Sequence, residues 1–167
     1  MLHLPFFIAH SIPGWKKVHL RKVIVINFMP MNHWLVKSEP TTYAWEQLLK
    51  DKKTSWDGVR NYAARLHLMD MKKGDLVLYY HSNQDRSIVG VAEVTKTHYQ
   101  DPTTDDDRWV AVDIKPVQSF NKPVTLSEVK AEPKLQQIAL VRIGRLSVMP
   151  LKKTEFDCLL KMGQTKL

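Results

Sequence analysis

The sequence is poor in the residues that most metal and redox chemistry requires. Cysteine occurs once, as Cys158, which excludes an internal disulfide and any metal site built on several thiolates. A reducing compartment follows, and the cytoplasm is the expected location. The seven histidines fall at no metal-ligand spacing. Phosphate-loop, HExxH, CxxC and nucleophile-elbow patterns are all missing, so no cofactor, no metal and no catalytic group is expected. No apolar run approaches the roughly 20 residues of a membrane helix, and no membrane partner is expected. Nothing in the sequence calls for a second copy, so a monomer is the expected state.

Acidic residues are missing from one region altogether. Residues 1–30 contain Lys16, Lys17, Arg21 and Lys22 and no Asp or Glu. Their short apolar run, Leu4–Ala9, precedes these charges, the reverse of a secretory signal. Arginine and serine are too few there for a transit peptide. The segment is expected to be an extension upstream of the natural start, Met29 or Met31, leaving 31–167 as one domain. The formal charge of +8 divides accordingly. Four of the 25 Lys and Arg lie in the leader, and the other 21 face all 17 acids. The body is therefore only mildly basic, and any acidic partner must be met by a local patch.

Turn and periodicity signals give a mixed order of elements. HWLVK at 33–37 predicts a first strand, stopped by Pro40. Thr42 is expected to cap a helix over 43–50, and 51–55 to be a polar loop. A helix over 61–69 follows the WDG turn. On it Tyr62, Leu66 and Met69 share one arc and are expected to be buried, while Asn61 and Arg65 share another edge. Strands are expected at 75–82, 88–95 and 109–117, with Gly90 marking a bulge or a close approach. Asp101–Asp107 reads as an acidic loop, with Asp105–Asp107 solvated. Short helices over 126–130 and 134–140, an extended piece at 146–148 and a helix over 154–162 ended by Gly163 complete the chain. Strands in hairpins with helices between them fit a small α+β barrel better than a parallel sheet.

The stretch Trp56–Arg65, WDGVRNYAAR, is the densest in chemistry. It combines an indole, a phenol, a carboxylate, an amide and two guanidiniums, the groups that stack a flat ring, bond its edge and hold a phosphate. Together with WLVKSEP at 34–40, KGD at 73–75, YYHS at 79–82, VGVAEV at 89–94 and LSVMP at 146–150, it resembles the EVE-domain family. The resemblance covers about residues 32–162, and the chain looks like the family's bacterial single-domain members. It implies an α+β fold, a PUA-like mixed β-barrel of five to six strands with flanking helices, related to the YTH and ASCH domains. It also implies a nucleic-acid partner, modified DNA or RNA, and a pocket suited to a modified base. Two positions depart from the family pattern: Ala63 stands where glutamine is common and Leu66 where asparagine is common.

The resemblance further implies that the end of the first strand, the WDGVRN turn and the end of the YYHS strand converge. In such a pocket Trp34 or Trp56 would stack an unstacked base, worth roughly 1–3 kcal/mol. Ser38, Asn61 and Ser82 would bond its edge, and Arg60, Arg65 and Lys37 would meet phosphates. Glu39, Val59, Tyr80 and His81 complete the expected base-binding set. Tyr79 and Tyr80 alternate faces, so at most one points at any site. Two other functions use the same region. Lys37 and Glu39, i and i+2 on a strand, share a face and would suit acid/base work on a modified nucleoside, as in amide-cleaving ASCH relatives. A barrel mouth would also serve as a protein-interaction module.

Overall fold

The computed structural model describes residues 31–84 and 86–167. The expected extension before Met31 lies outside these residues. Six strands form one mixed sheet: β1 (His33–Ser38), β2 (Thr54–Trp56), β3 (Leu76–His81), β4 (Ser87–Gln100), β5 (Val110–Thr125) and β6 (Val148–Leu151). The helices are α1 (Trp45–Asp51), α2 (Tyr62–Asp70), α3 (Leu126–Ala131), α4 (Ala139–Arg142) and α5 (Lys153–Met162), with a 3-10 turn at Pro133–Leu135. The α+β class and the strand number are as the sequence predicts. The sheet runs β2-β5-β4-β3-β1-β6 and is not closed, so β2 and β6 are edges. None of the described helices is long and apolar enough to cross a membrane.

One pairing was not visible in the sequence. β1 and β3 are parallel neighbours, with Leu35 opposite Leu78 and Lys37 opposite Tyr80. A parallel pair needs a crossover, and α1, β2 and α2 supply it. WDGVRNYAAR lies within this crossover, from Trp56 at the end of β2 to Arg65 in α2. β4 and β5 run to 14 and 16 residues, well beyond the expected strands. Their pairing slips at several points, including between Ile88 and Gly90. Such slips bend a strand and increase its twist, and the outer halves are too polar to register as alternation. Pro150 lies within β6 rather than ending it. An edge strand tolerates proline because one side needs no ladder donor.

The core lies around β1 and β3, where Leu35, Leu78 and Tyr79 are fully buried together with Leu48, Leu68 and Ile114. Trp34 belongs to it. Its indole N–H donates to Asp75 Oδ2 at 2.9 Å, and the same carboxylate accepts from the backbone N–H groups of Asn32 and Lys72. The KGD turn therefore anchors β1 through Trp34.

Two helix expectations fail for physical reasons. Ala44, not Thr42, is the residue before α1, and it offers no side-chain cap. The N–H of Trp45 is instead accepted by His81 Nε2 at 3.0 Å, a tertiary substitute for a local cap. On α2 the buried residues are Ala64 and Leu68, while Tyr62 is 58% exposed and Leu66 52% exposed. Met69 is exposed as well. Ala64, Leu68 and Met71 form an arc with the same periodicity, offset by two residues. Its small first member lets α2 approach the sheet, a preference that counting large apolar side chains misses.

Gly90 is the close approach its position suggested. A Cβ there would collide with the Trp45 indole, whose N–H is fixed to Ser119 Oγ at 2.9 Å. The ring cannot retreat without breaking that bond. Gly90→Ala is expected to lower stability by about 1–3 kcal/mol, measurable as a reduced urea midpoint at unchanged slope.

Candidate nucleic-acid interface

A cleft of about 580 Å³ opens where the C-terminal end of β1 meets β2 and the turn before α2. That volume is typical of small-ligand pockets. Lys37, Ser38, Glu39, Trp56, Val59 and Arg60 of the expected set line it. So do Thr42, Tyr43, Thr54, Ser55, Asp57, Gly58 and Ser147, which the sequence did not single out.

The floor is built from hydroxyls around one carbonyl. Ser38 Oγ and Tyr79 Oη both donate to the Tyr43 carbonyl, each at 2.7 Å. Burial pushes the Tyr79 phenol up to about 12, so it stays protonated and serves as a fixed donor. One wall is Trp56, whose ring meets Tyr79 edge-on at 86° with centroids 5.4 Å apart. Trp56 sits on β2, which pairs only with β5. β2 is pinned by a relay in which Ser55 Oγ meets Tyr99 Oη at 2.9 Å and Tyr99 Oη donates to Asp113 at 2.6 Å. On the opposite side Lys37 Nζ donates to the Gly144 carbonyl at 3.1 Å. No carboxylate pairs with Lys37 among the described residues, and burial lowers its pKa.

The rim is shaped by Asp101, which is completely buried. Its Oδ2 accepts from the Gly58 N–H at 2.9 Å and from Arg60 Nη1 at 2.7 Å. Its Oδ1 accepts from the Thr103 N–H and hydroxyl. Arg60 Nη2 also donates to Thr103 Oγ1 at 2.8 Å. Gly58 takes φ +69°, a conformation that favours glycine. Burial pushes the Asp101 carboxyl up, but the bonds from Thr103, Arg60 and Gly58 outweigh it and hold it down at about 2.

Half of the expected set lies outside the cleft. Trp34 is spent on Asp75 and faces a second, smaller cleft with His33 and Pro150. Asn61 caps α2, its Oδ1 accepting from the Ala64 N–H. Arg65 projects from α2 toward Tyr62 and donates to the Arg108 carbonyl. Tyr80 is buried on the face opposite Tyr79. His81 holds α1, and Ser82 donates through its N–H and hydroxyl to the Ser38 carbonyl, extending the β1–β3 pairing. Arg60 is paired with Asp101, not Asp57. Ala63 and Leu66 are exposed on α2 and do not line the cleft. Among the missed residues, Thr42 and Tyr43 lie two and three residues beyond Pro40, and Ser147 lies inside LSVMP. Thr54 and Ser55 carried no signal, because a three-residue strand is too short to show a period.

With this geometry in hand, the comparisons are consistent. The sequence model of the EVE domain matches residues 32–162. Thymocyte nuclear protein 1 of Mus musculus is 33% identical over 169 residues, spanning 81% of this chain and 75% of that protein. A Rhodopseudomonas palustris protein solved by NMR is 44% identical with a TM-score of 0.77, over 80% of this chain and 94% of that one. Human thymocyte nuclear protein 1 crystallised with DNA containing 5-methylcytosine is 31% identical with a TM-score of 0.74, over 81% of this chain and 99% of that one. Fold and motifs thus define an EVE domain of PUA-like architecture. The chain belongs to the EVE-domain family.

The Asp101 anchor has a pH signature. Its folded-state value, about 2, lies below the ordinary 3.8, a difference of about 2 kcal/mol. That stability is fully present above pH 4 and is lost as the pH falls toward 2. Asp101→Asn is expected to lower stability by about 2–4 kcal/mol at pH 7 and to flatten the acid limb, as followed by urea unfolding at stepped pH.

Proposed function

We propose that this chain is a non-catalytic nucleic-acid-binding domain that receives an unstacked modified base, a modified cytosine or similar, in the Trp56-walled cleft. The observation that carries this reading is the cleft's lining: one indole, several neutral hydroxyls, two carboxylates, one amine and one guanidinium around a space of about 580 Å³. A cytosine presents an exocyclic amine that a carboxylate accepts, for which Asp57 and Glu39 are available. Its O2 and N3 are acceptors, for which the Lys37 amine is available. The Trp56 ring supplies the stacking face, and Arg60 at the rim meets the phosphate. The human relative crystallised with 5-methylcytosine DNA supports DNA as the carrier.

The commitments of the other polar groups support binding over turnover. Tyr79 is held protonated with its hydroxyl on a carbonyl, and His81 is engaged by the Trp45 N–H. Unstacking a base costs a few kcal/mol, which the cleft contacts must offset. Burying one methyl contributes about 0.8 kcal/mol, roughly fourfold. Fluorescence anisotropy with oligonucleotides that carry one 5-methylcytosine or one cytosine is expected to show at least that preference, maintained across salt concentrations. Equal affinities would overturn the reading. Trp56→Ala is expected to abolish the preference in protein shown by circular dichroism to be folded. Lys37→Met tests the same cleft without touching the core.

A second reading rests on Lys37 and Glu39, which both line the cleft without forming an ion pair. An amine with a lowered pKa is suited to acid/base work in an ASCH-like hydrolase. It requires product from a modified nucleoside that disappears in Lys37→Ala. Absence of product from a nucleoside panel would overturn it.

A further inference from the structure

The face of α2 beside the cleft holds an aromatic and arginine cluster that the base-binding reading leaves unused. From the rim, Arg60 places its guanidinium 5.5 Å from the centre of the Trp109 ring. Trp109 packs against Tyr62 with centroids 5.2 Å apart. On the same helix the Arg65 guanidinium stands 5.8 Å from the Tyr62 ring. Cleft, Arg60, Trp109, Tyr62 and Arg65 are therefore contiguous.

Tyr62 is 58% exposed despite these contacts. The charges beside it are unequal. Asp101 neutralises Arg60, and Asp106 grips Arg108. No carboxylate pairs with Arg65 among the described residues. Arg65 donates through Nη1 to the Arg108 carbonyl at 2.9 Å, while its Nε is buried without any hydrogen-bond partner. A buried, unsatisfied guanidinium N–H is costly in isolation. Nε is closed to solvent, so an acceptor from outside meets the guanidinium at its Nη2 edge, which forms no hydrogen bond among the described residues.

We infer that the Tyr62–Arg65 face of α2 carries the strand where it leaves the cleft, stacking the neighbouring base on Tyr62 and holding a phosphate at Arg65. The inference rests on the base-binding reading for its partner and adds a second site to it. An exposed ring beside an uncompensated cation is what single-stranded nucleic acid requires: a stacking platform and a backbone contact. The uncompensated positive charge complements a phosphate. Continuity with the cleft gives the strand a direct path to this face. It also gives Tyr62 and Leu66 a reason to be exposed, although their spacing is that of a core stripe.

The experiment compares two probes on the full chain. One is the free nucleoside 5-methyl-2′-deoxycytidine, which reaches only the cleft. The other is a labelled single-stranded octamer with one central 5-methylcytosine. Tyr62→Ala is expected to weaken the octamer about tenfold and to leave nucleoside binding unchanged. Tyr62→Phe keeps the ring and is expected to retain octamer affinity, which separates stacking from the hydroxyl's contact with Arg108. Arg65→Gln is expected to reduce the salt dependence of octamer binding by about one phosphate contact. Octamer affinity of Tyr62→Ala within twofold of the parent would overturn the inference and leave the cleft reading standing. An octamer bound without preference for the modified base, but weakened by Tyr62→Ala, would sink the cleft reading and uphold this one. A self-associated protein in sedimentation that Tyr62→Ala renders monomeric would assign the face to a second copy and overturn the inference.

Discussion

The cleft exists in its observed shape because one carboxylate is buried behind it. Asp101 follows the last residue of β4 and reaches across to the turn between β2 and α2. A buried carboxylate is tolerated only when its oxygens are satisfied. Here they are, by two backbone N–H groups, a hydroxyl and a guanidinium. Each of those donors belongs to a segment that lacks regular structure of its own. Gly58 and Arg60 precede α2, and Thr103 lies in the loop between β4 and β5. The burial of Asp101 thus converts two irregular segments into one fixed rim. By bonding Gly58 and Arg60 it fixes the turn that carries Asp57 and Val59. Through Arg60 it also orients Trp109, and through Trp109 it orients Tyr62. The acidic loop 101–107 is held at its buried first residue, while Asp105 and Asp107 face water.

The KSEP end of β1 depends on a similar arrangement of smaller reach. Ser38 and Tyr79 share the Tyr43 carbonyl, and His81 takes the Trp45 N–H. The parallel β1–β3 pair and the start of α1 are thereby locked to each other. This explains why YYHS is so rich in polar aromatic groups without presenting them to a ligand. Tyr79, His81 and Ser82 all spend their hydrogen bonds on the backbone of the segment that forms the floor. They fix the geometry of Ser38 and Tyr43 at the cleft.

The fold was largely legible, because it rests on patterns with a physical period. β1, β3 and α5 lie close to their predicted bounds, and a glycine inside a strand, as at Gly90, signals a close approach by itself. The site was legible only in part. Residue types do not reveal whether their hydrogen bonds are already taken. Trp34, Asn61 and His81 have the chemistry of ligand contacts, but Asp75, the Ala64 N–H and the Trp45 N–H occupy them. Asp101 was invisible for the opposite reason: its role depends on contacts more than forty residues distant, which no local spacing encodes. Tyr62 was misplaced because an apolar stripe on a short helix reads as core whichever of two arcs packs. Ala64 decided the outcome, being the residue small enough to meet the sheet.

Magnitudes divide the labour between the two parts of the proposed interface. A cleft that distinguishes a base by one methyl gains about fourfold. It must first offset a few kcal/mol of unstacking. A cleft of that kind discriminates more readily than it holds. Stacking outside the cleft, worth roughly 1–3 kcal/mol per base, adds affinity without regard to modification. A phosphate contact at Arg65 does the same, with a dependence on salt. The exposed aromatic face and the polar cleft are therefore complementary. In the proposed interface the face would supply retention common to all sequences, and the cleft the difference between one base and another. The departures at Ala63 and Leu66 fall on the retaining side, since both residues lie on α2 and neither lines the cleft. Differences from relatives at these two positions would change how firmly the strand is held before they changed which base is chosen.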